Sequence, residues 1–158
     1  MMATAPLTVR LATAADAGRV WTWRNDPNTR GNSLQSAAIP WPQHEAWFAA
    51  RLADPDTILY IIEEDTAGPV AHVRYNRHDG DAAEVHITVA PDCRGRGFGT
   101  AALQVTLRAA METLQVRRID AVVKQDNVAS RRAFERVGFV RDAARSADGL
   151  IHLRFSDA

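Results

Sequence analysis

The sequence has a single cysteine, Cys93, among its 158 residues. One cysteine excludes an intramolecular disulfide and any zinc site built from several cysteines. Nineteen basic and nineteen acidic residues cancel in charge, so composition indicates neither a nucleic-acid partner nor an anionic membrane. No apolar run is long enough to cross a bilayer, and the first residues, MMATAPLTVR, lack the apolar segment of a signal peptide. These absences predict a cytoplasmic protein.

The pattern of apolar residues predicts one α/β domain over residues 1–158. Strands are expected over 7–13, 57–63, 70–75, 83–89, 119–123, 138–141 and 150–155. Helices are expected over 14–24, from 41 to before 54, over 99–114 and over 130–136, with a long loop at 28–40. The expected order is therefore β-α-α-β-β-β-α-β-α-β-β.

A glycine-rich segment lies between the strand that ends before Pro91 and an alanine- and leucine-rich helix. Gly95, Gly97 and Gly99 occupy alternate positions, where the lack of a Cβ lets the backbone turn tightly and approach a ligand. The helix that follows offers unpaired N–H groups to a phosphate or pyrophosphate. The spacing matches neither a Walker A loop nor the GxGxxG of a dinucleotide fold.

Two motifs carry a family resemblance. Arg-Gly-Arg-Gly-Phe-Gly at 94–99 resembles the Arg/Gln-x-x-Gly-x-Gly/Ala signature of GNAT N-acetyltransferases. The segment 127–139, NVASRRAFERVGF, resembles that family's Asn-x-x-Ala/Ser-x-x-x-Tyr/Phe-x-x-x-Gly-Phe. Both motifs stand in the family's order, with a strand between them. The resemblance implies a central mixed, mostly antiparallel sheet of about seven strands, splayed in the middle and flanked by about four helices.

The resemblance also implies acetyl-CoA as co-substrate and no metal. The glycine loop would hold the pyrophosphate, and the backbone around residues 87–89 would bind the pantetheine and polarise the acetyl carbonyl. Arg94 would shape the loop, while Arg96 either touches the coenzyme or is an ordinary surface arginine. Ser130 either approaches the coenzyme or serves only as a helix-start residue. The expected coenzyme-binding residues are Ile87, Thr88, Val89, Arg94, Gly95, Arg96, Gly97, Phe98, Gly99, Thr100, Asn127, Ser130 and Phe134.

Two residues are candidates for the base that accepts the proton of the incoming ammonium. Glu84 aligns with a glutamate that many GNAT relatives carry on this strand, and we favour it. His86 lies two residues on, on the same face, with an ordinary pKa suited to the task. Phe134 stands where many relatives place a tyrosine that protonates the thiolate, so this step falls to another group or to water. A ping-pong reaction through Cys93 is rejected because the family transfers acetyl directly.

The acceptor is expected to bind to the first two helices. Trp21–Asp26 and His44–Phe48 resemble segments of GNAT enzymes that acetylate UDP-linked 4-amino-sugars and, more loosely, ribosomal-protein N-termini. The preferred acceptor is therefore a nucleotide-linked amino sugar bound by a monomer or homodimer. The alternatives are a protein N-terminus or another small amine, or a non-catalytic acyl-CoA-binding module. The candidate acceptor-binding residues are Trp23, Arg24, Asn25, Arg30, His44 and Trp47.

Overall fold

Seven strands form one mixed sheet in the computed structural model, which describes residues 6–157. The strands are β1 (Leu7–Leu11), β2 (Thr57–Glu64), β3 (Gly68–Asp79), β4 (Ala82–Val89), β5 (Arg118–Lys124), β6 (Val140–Arg141) and β7 (Leu150–Ser156). Their order is β1-β2-β3-β4-β5-β7-β6. All neighbours are antiparallel except β4 and β5. The predicted fold class is confirmed.

Within residues 6–157, five α-helices flank the sheet, one more than the sequence predicted. They are α1 (Ala17–Asn25), α2 (Pro27–Asn32), α3 (Trp41–Ala53), α4 (Phe98–Leu114) and α5 (Val128–Val137). The prediction of an uninterrupted loop over 28–40 was wrong, because α2 occupies its first part. Asp26 initiates α2 by accepting hydrogen bonds from the N–H groups of Asn28 and Thr29, at 3.1 and 3.3 Å.

The helices cover the two faces of the sheet separately. On one face, α1 and α3 pack on β2 through a cluster that includes Val20, Phe48 and Ile61. On the other face, α4 and α5 bury the larger core, in which Tyr75 donates to or accepts from Thr106 at 2.8 Å. β3 continues to Asp79, beyond the strand end predicted at residue 75, because its last residues still pair with β4.

The parallel pair β4–β5 separates after three residues. Ala82, Ala83 and Glu84 pair with Arg118, Ile119 and Asp120, and no pairing continues beyond them. β5 remains fully paired with β7 on its other side. The rest of β4 therefore has a free edge, and a gap opens between the two strands at their carboxyl ends. This is the splay that the family resemblance implied.

Candidate active site

Backbone groups of β4 point into the gap between β4 and β5. The N–H of Ala90, just beyond the strand, donates to the Val70 carbonyl at 2.8 Å. Hydrogen-bonding direction alternates along an antiparallel strand, so even-numbered residues of β4 bond to β3. The N–H and C=O groups of Ile87 and Val89 consequently face the gap without a strand partner. These groups can therefore form hydrogen bonds with the amide groups of an extended ligand.

The glycine loop closes one end of this gap. Gly95 and Gly97 have φ of 75° and 82°, a left-handed conformation that favours glycine, and Gly97 is the N-cap of α4. The first intrahelical bond runs from the Ala101 N–H to the Gly97 carbonyl. The N–H groups of Phe98, Gly99 and Thr100 therefore lack an intrahelical acceptor and are available to an anion.

At Gly99, the start of α4 lies close to both β4 and α5. A Cβ added there would lie 3.7 Å from Val89 Cγ2, at the end of β4, and 4.0 Å from the Ala133 Cβ of α5. These are ordinary contact distances, so the helix start is already close to β4 and to α5. The loop, the free edge of β4 and α5 thus enclose a single region.

The two arginines of the loop have different partners. Arg94 donates a 2.7 Å hydrogen bond to Asp26 and another to Thr29, which ties the glycine loop to α2. The Arg94 hydrogen bond lowers the pKa of the Asp26 carboxyl. Arg96 lies 3.8 Å from Glu64 and 5.0 Å from the centroid of the Phe98 ring, with its side chain half exposed. Arg96 therefore has more exposed side-chain surface at the loop than Arg94.

The second motif starts α5 beside the end of β5. Asn127 Oδ1 accepts a 3.2 Å hydrogen bond from the Ser130 N–H, so Asn127 is the N-cap of α5. Phe134 is buried and packs edge-on against Phe139, with ring centroids 5.0 Å apart. Phe134 thus belongs to the core between α5 and the sheet.

Glu84 and His86 form a hydrogen-bonded pair on the face of β4 that α1 and α3 cover. His86 Nε2 lies 3.0 Å from Glu84 Oε1. Burial lowers the pKa of His86, and the hydrogen bond from His86 lowers the pKa of Glu84. At neutral pH the carboxylate is therefore ionised and the ring is neutral, so Nε2–H donates to Glu84. The lone pair of His86 is then on Nδ1.

Two arginines approach one indole ring beside this pair. The guanidinium carbons of Arg24, on α1, and of Arg74, on β3, lie 4.6 and 5.2 Å from the centroid of Trp47. Arg74 stands directly opposite His86 in the β3–β4 register. Arg74 was not among the predicted site residues, because alternation groups it with His72 and Asn76 on β3, whereas only the β3–β4 register puts that face together with Glu84 and His86.

Four other candidate acceptor-binding residues have partners inside the protein. Trp23 is 7% exposed and belongs to the core, and His44 Nε2–H donates to the Ala17 carbonyl at 2.9 Å. The Asn25 amide bonds to both backbone groups of Ile39, at 2.9 and 2.8 Å, and Arg30 Nε donates to the Asn25 carbonyl. Arg24 and Trp47 are the members of the predicted set that line the region next to Glu84 and His86.

Three further features of residues 6–157 concern metal ligands, membrane-spanning helices and the single thiol. No group of three or more His, Cys, Asp or Glu side chains there could hold a metal ion. None of the helices in that range is both long and apolar enough to cross a membrane. Cys93 is buried, and burial raises the pKa of its thiol, which disfavours a reactive thiolate.

Residues 6–140 match the model of the acetyltransferase (GNAT) domain. The chain belongs to the GNAT acetyltransferase family. A curated relative, the acetyltransferase Pat of Mycolicibacterium smegmatis, is 36% identical over 88 residues, which are 54% of this chain and 26% of that protein. The GNAT chain thus spans about a quarter of the length of this relative.

Solved structures resemble this GNAT domain over nearly its whole length. A protein proposed to be a phosphinothricin N-acetyltransferase has a TM-score of 0.79 and 25% identity, with 96% of this chain and 98% of that chain covered. The spermidine N-acetyltransferase of Vibrio cholerae in complex with CoA and spermine has a TM-score of 0.82 and 18% identity, with 95% of each chain covered. These likenesses show that the domain has the fold of these N-acetyltransferases over nearly its whole length.

Proposed function

We propose that the protein transfers acetyl directly from acetyl-CoA to the primary amine of a small acceptor. The observation that carries this proposal is the position of the Glu84–His86 pair. It lies on the strand whose free edge faces the gap, directly before the backbone groups of Ile87 and Val89. A ligand bound along that edge would have its reactive end close to a neutral imidazole.

The chain's own groups fit acetyl-CoA. Three free N–H groups at the start of α4 suit the pyrophosphate, and the unpaired backbone of Ile87 and Val89 suits the pantetheine amides. We propose that the Val89 N–H polarises the acetyl carbonyl, as backbone donors do for a developing oxyanion. When bound, acetyl-CoA supplies the thioester carbonyl that the acceptor amine attacks.

His86 is the proposed base, and Glu84 is proposed to position its ring. The acceptor ammonium gives its first proton to His86 Nδ1, because an amine of ordinary pKa is protonated at neutral pH. The C–N bond then forms, the C–S bond breaks, and the second amine proton leaves with the sulfur, directly or through water. These proton transfers need no acidic side chain of the protein. This agrees with Phe134, whose phenyl ring cannot donate a proton.

A nucleotide-linked amino sugar is our preferred acceptor. Arg24 and Trp47 remain at the site, and a guanidinium suits a diphosphate while an indole suits a planar base or sugar ring. A protein N-terminus or another small amine is the alternative within enzymes. A non-catalytic acyl-CoA-binding module is the alternative outside them.

The test is a thiol-release assay with acetyl-CoA and three acceptor classes: a UDP-linked amino sugar, a small-amine set and N-terminal peptides. Product mass must rise by one acetyl group on the amine. Thiol release with the UDP-linked amino sugar supports our preferred acceptor. Thiol release with the N-terminal peptides instead makes a protein N-terminus the acceptor. Acetyl-CoA binding without release for any acceptor contradicts the enzymatic proposal.

A further inference from the structure

Arg24 and Arg74 contact the same ring from two different elements. Arg24 extends from α1, Arg74 from β3, and Trp47 from α3 provides the aromatic surface between those elements. Arg74 also donates a 2.5 Å hydrogen bond to Asn76 Oδ1, two residues along the same strand. The two guanidinium groups are therefore held in place before any ligand arrives.

Neither guanidinium has an anionic partner in the described part of the chain. No carboxylate of residues 6–157 lies within 4.0 Å of Arg24 or Arg74. Glu84 is the nearby acid, and its Oε1 already accepts from His86. Buried charges in proteins are normally paired, so two partly buried arginines without a counterion indicate a place for an external anion.

The electrostatics of the pair agree with this geometry. Burial and the neighbouring Arg24 lower the pKa of Arg74 to about 10, and burial lowers the pKa of Arg24. A bound anion would favour the charged form of both guanidinium groups and so oppose the lowering of their pKa values. Guanidinium groups also bind carboxylates and phosphates through two parallel hydrogen bonds, which favours oxyanions over other anions.

We propose that Arg24 and Arg74 form an anion-binding subsite, and that the acceptor is a primary amine that also carries a carboxylate, phosphonate or phosphate. This inference rests on the proposed function and names its substrate class. Arg74 and His86 face each other across neighbouring strands, where opposite side chains stand about 5 Å apart at Cβ. The anion and the amine therefore belong to one small molecule and are separated by few bonds.

The same subsite excludes polycations. Spermidine would bring positive charge next to Arg24 and Arg74, and Glu84, which already pairs with His86, is the nearby carboxylate. Like charges at short range in a partly buried site are unfavourable. A polyamine is consequently a poor acceptor, even though the fold is shared with a spermidine N-acetyltransferase.

The experiment measures binding separately from transfer. Calorimetry with the full chain saturated with CoA compares 2-aminoethyl phosphate with 2-aminoethanol, a pair that differs only in the phosphate. L-Glutamate tests carboxylates, a UDP-linked amino sugar tests a diphosphate, and spermidine tests additional positive charge. Arg24→Gln and Arg74→Gln are compared with the wild type, and Arg108→Gln is the matched control, because Arg108 is exposed on α4 and pairs with Asp157.

We expect 2-aminoethyl phosphate or another oxyanion-bearing amine to bind, and the amines without an oxyanion, 2-aminoethanol and spermidine, to bind at least about tenfold more weakly, as loss of a charge-assisted contact predicts. Arg24→Gln and Arg74→Gln should each weaken that binding about tenfold or more, whereas Arg108→Gln should not. Equal binding of 2-aminoethyl phosphate and 2-aminoethanol, tighter binding of spermidine, or unchanged binding in both variants overturns the subsite. Oxyanion binding without acetyl transfer would contradict the proposed function and leave the subsite intact.

Discussion

The protonation state of His86 determines when the proposed base can work. Burial lowers the pKa of its ring below the ordinary value, while its hydrogen bond to Glu84 raises it. The ring must be neutral to accept a proton, so kcat/KM should fall as the pH drops through a value below about 6.5. Glu84→Gln removes the carboxylate charge, which also raises the pKa of His86, so this acid limb should move to lower pH.

His86→Ala should lower kcat about 10²- to 10⁴-fold, as loss of a general base does. Glu84→Gln should have a smaller effect, because its amide oxygen can still accept from Nε2–H. Initial rates over a pH series check both variants, with Arg108→Gln as the control. A larger loss in Glu84→Gln than in His86→Ala would make Glu84 the base.

Phe134 is predicted to matter for stability rather than for proton transfer. The ring is 2% exposed and packs on Phe139. Phe134→Ala should reduce the free energy of unfolding by about 3–5 kcal/mol, measured by urea denaturation. Phe134→Tyr should change kcat only a few-fold, about 1 kcal/mol of barrier. A rate increase of about a hundredfold in the tyrosine variant would show that protonation of the thiolate limits the natural enzyme.

Single residues show where sequence reasoning succeeds and where it stops. Alternation along β4 suffices to place Glu84 and His86 on one face. Which of the two is charged depends on burial, which alternation does not report. Likewise, Trp23 and Trp47 were both predicted to bind the acceptor, but Trp23 is in the core and Trp47 lies between two arginines. Arg74 becomes visible only when β3 is paired with β4 in register.

At the scale of elements, the glycine loop is tested through its backbone conformation. Gly97→Val forces a side chain into a left-handed position, and Gly99→Val puts a larger side chain against Val89 and Ala133, next to the free N–H groups of α4. Both variants should lose most of their affinity for CoA while their far-UV circular dichroism stays native. Gly18→Ala is the control, because Gly18 lies in α1 with nothing within 4 Å of an added Cβ. Unchanged CoA affinity in folded Gly97→Val and Gly99→Val would refute the loop's assignment.

The element missed by sequence reasoning is α2. Its segment, Pro-Asn-Thr-Arg-Gly-Asn, has polar residues, glycine and proline instead of an apolar stripe. It is held by Asp26 at its start, by Arg94 from the glycine loop and by a 2.9 Å bond from Lys124 to the Gly31 carbonyl. Such long-range contacts are invisible in a local pattern, whereas the apolar periodicity of α4 predicts that helix within one residue of its start.

For the whole molecule, the consequential feature is the separation of β4 from β5. Neither strand's residues reveal the point at which pairing ends, and the splay was expected only from the family resemblance. The gap brings together the free edge of β4, the start of α4 and the start of α5, with Glu84, His86 and the arginines on one side. Such an arrangement suits simultaneous binding of both substrates.

Two-substrate initial-rate kinetics test this account most directly. Thiol release is measured while acetyl-CoA and an oxyanion-bearing amine are each varied, and the N-acetylated product is identified by mass. Direct transfer predicts intersecting double-reciprocal lines and no release without acceptor. Parallel lines, or a burst of thiol release from acetyl-CoA alone that equals the enzyme concentration, would show an acyl-enzyme and contradict the account.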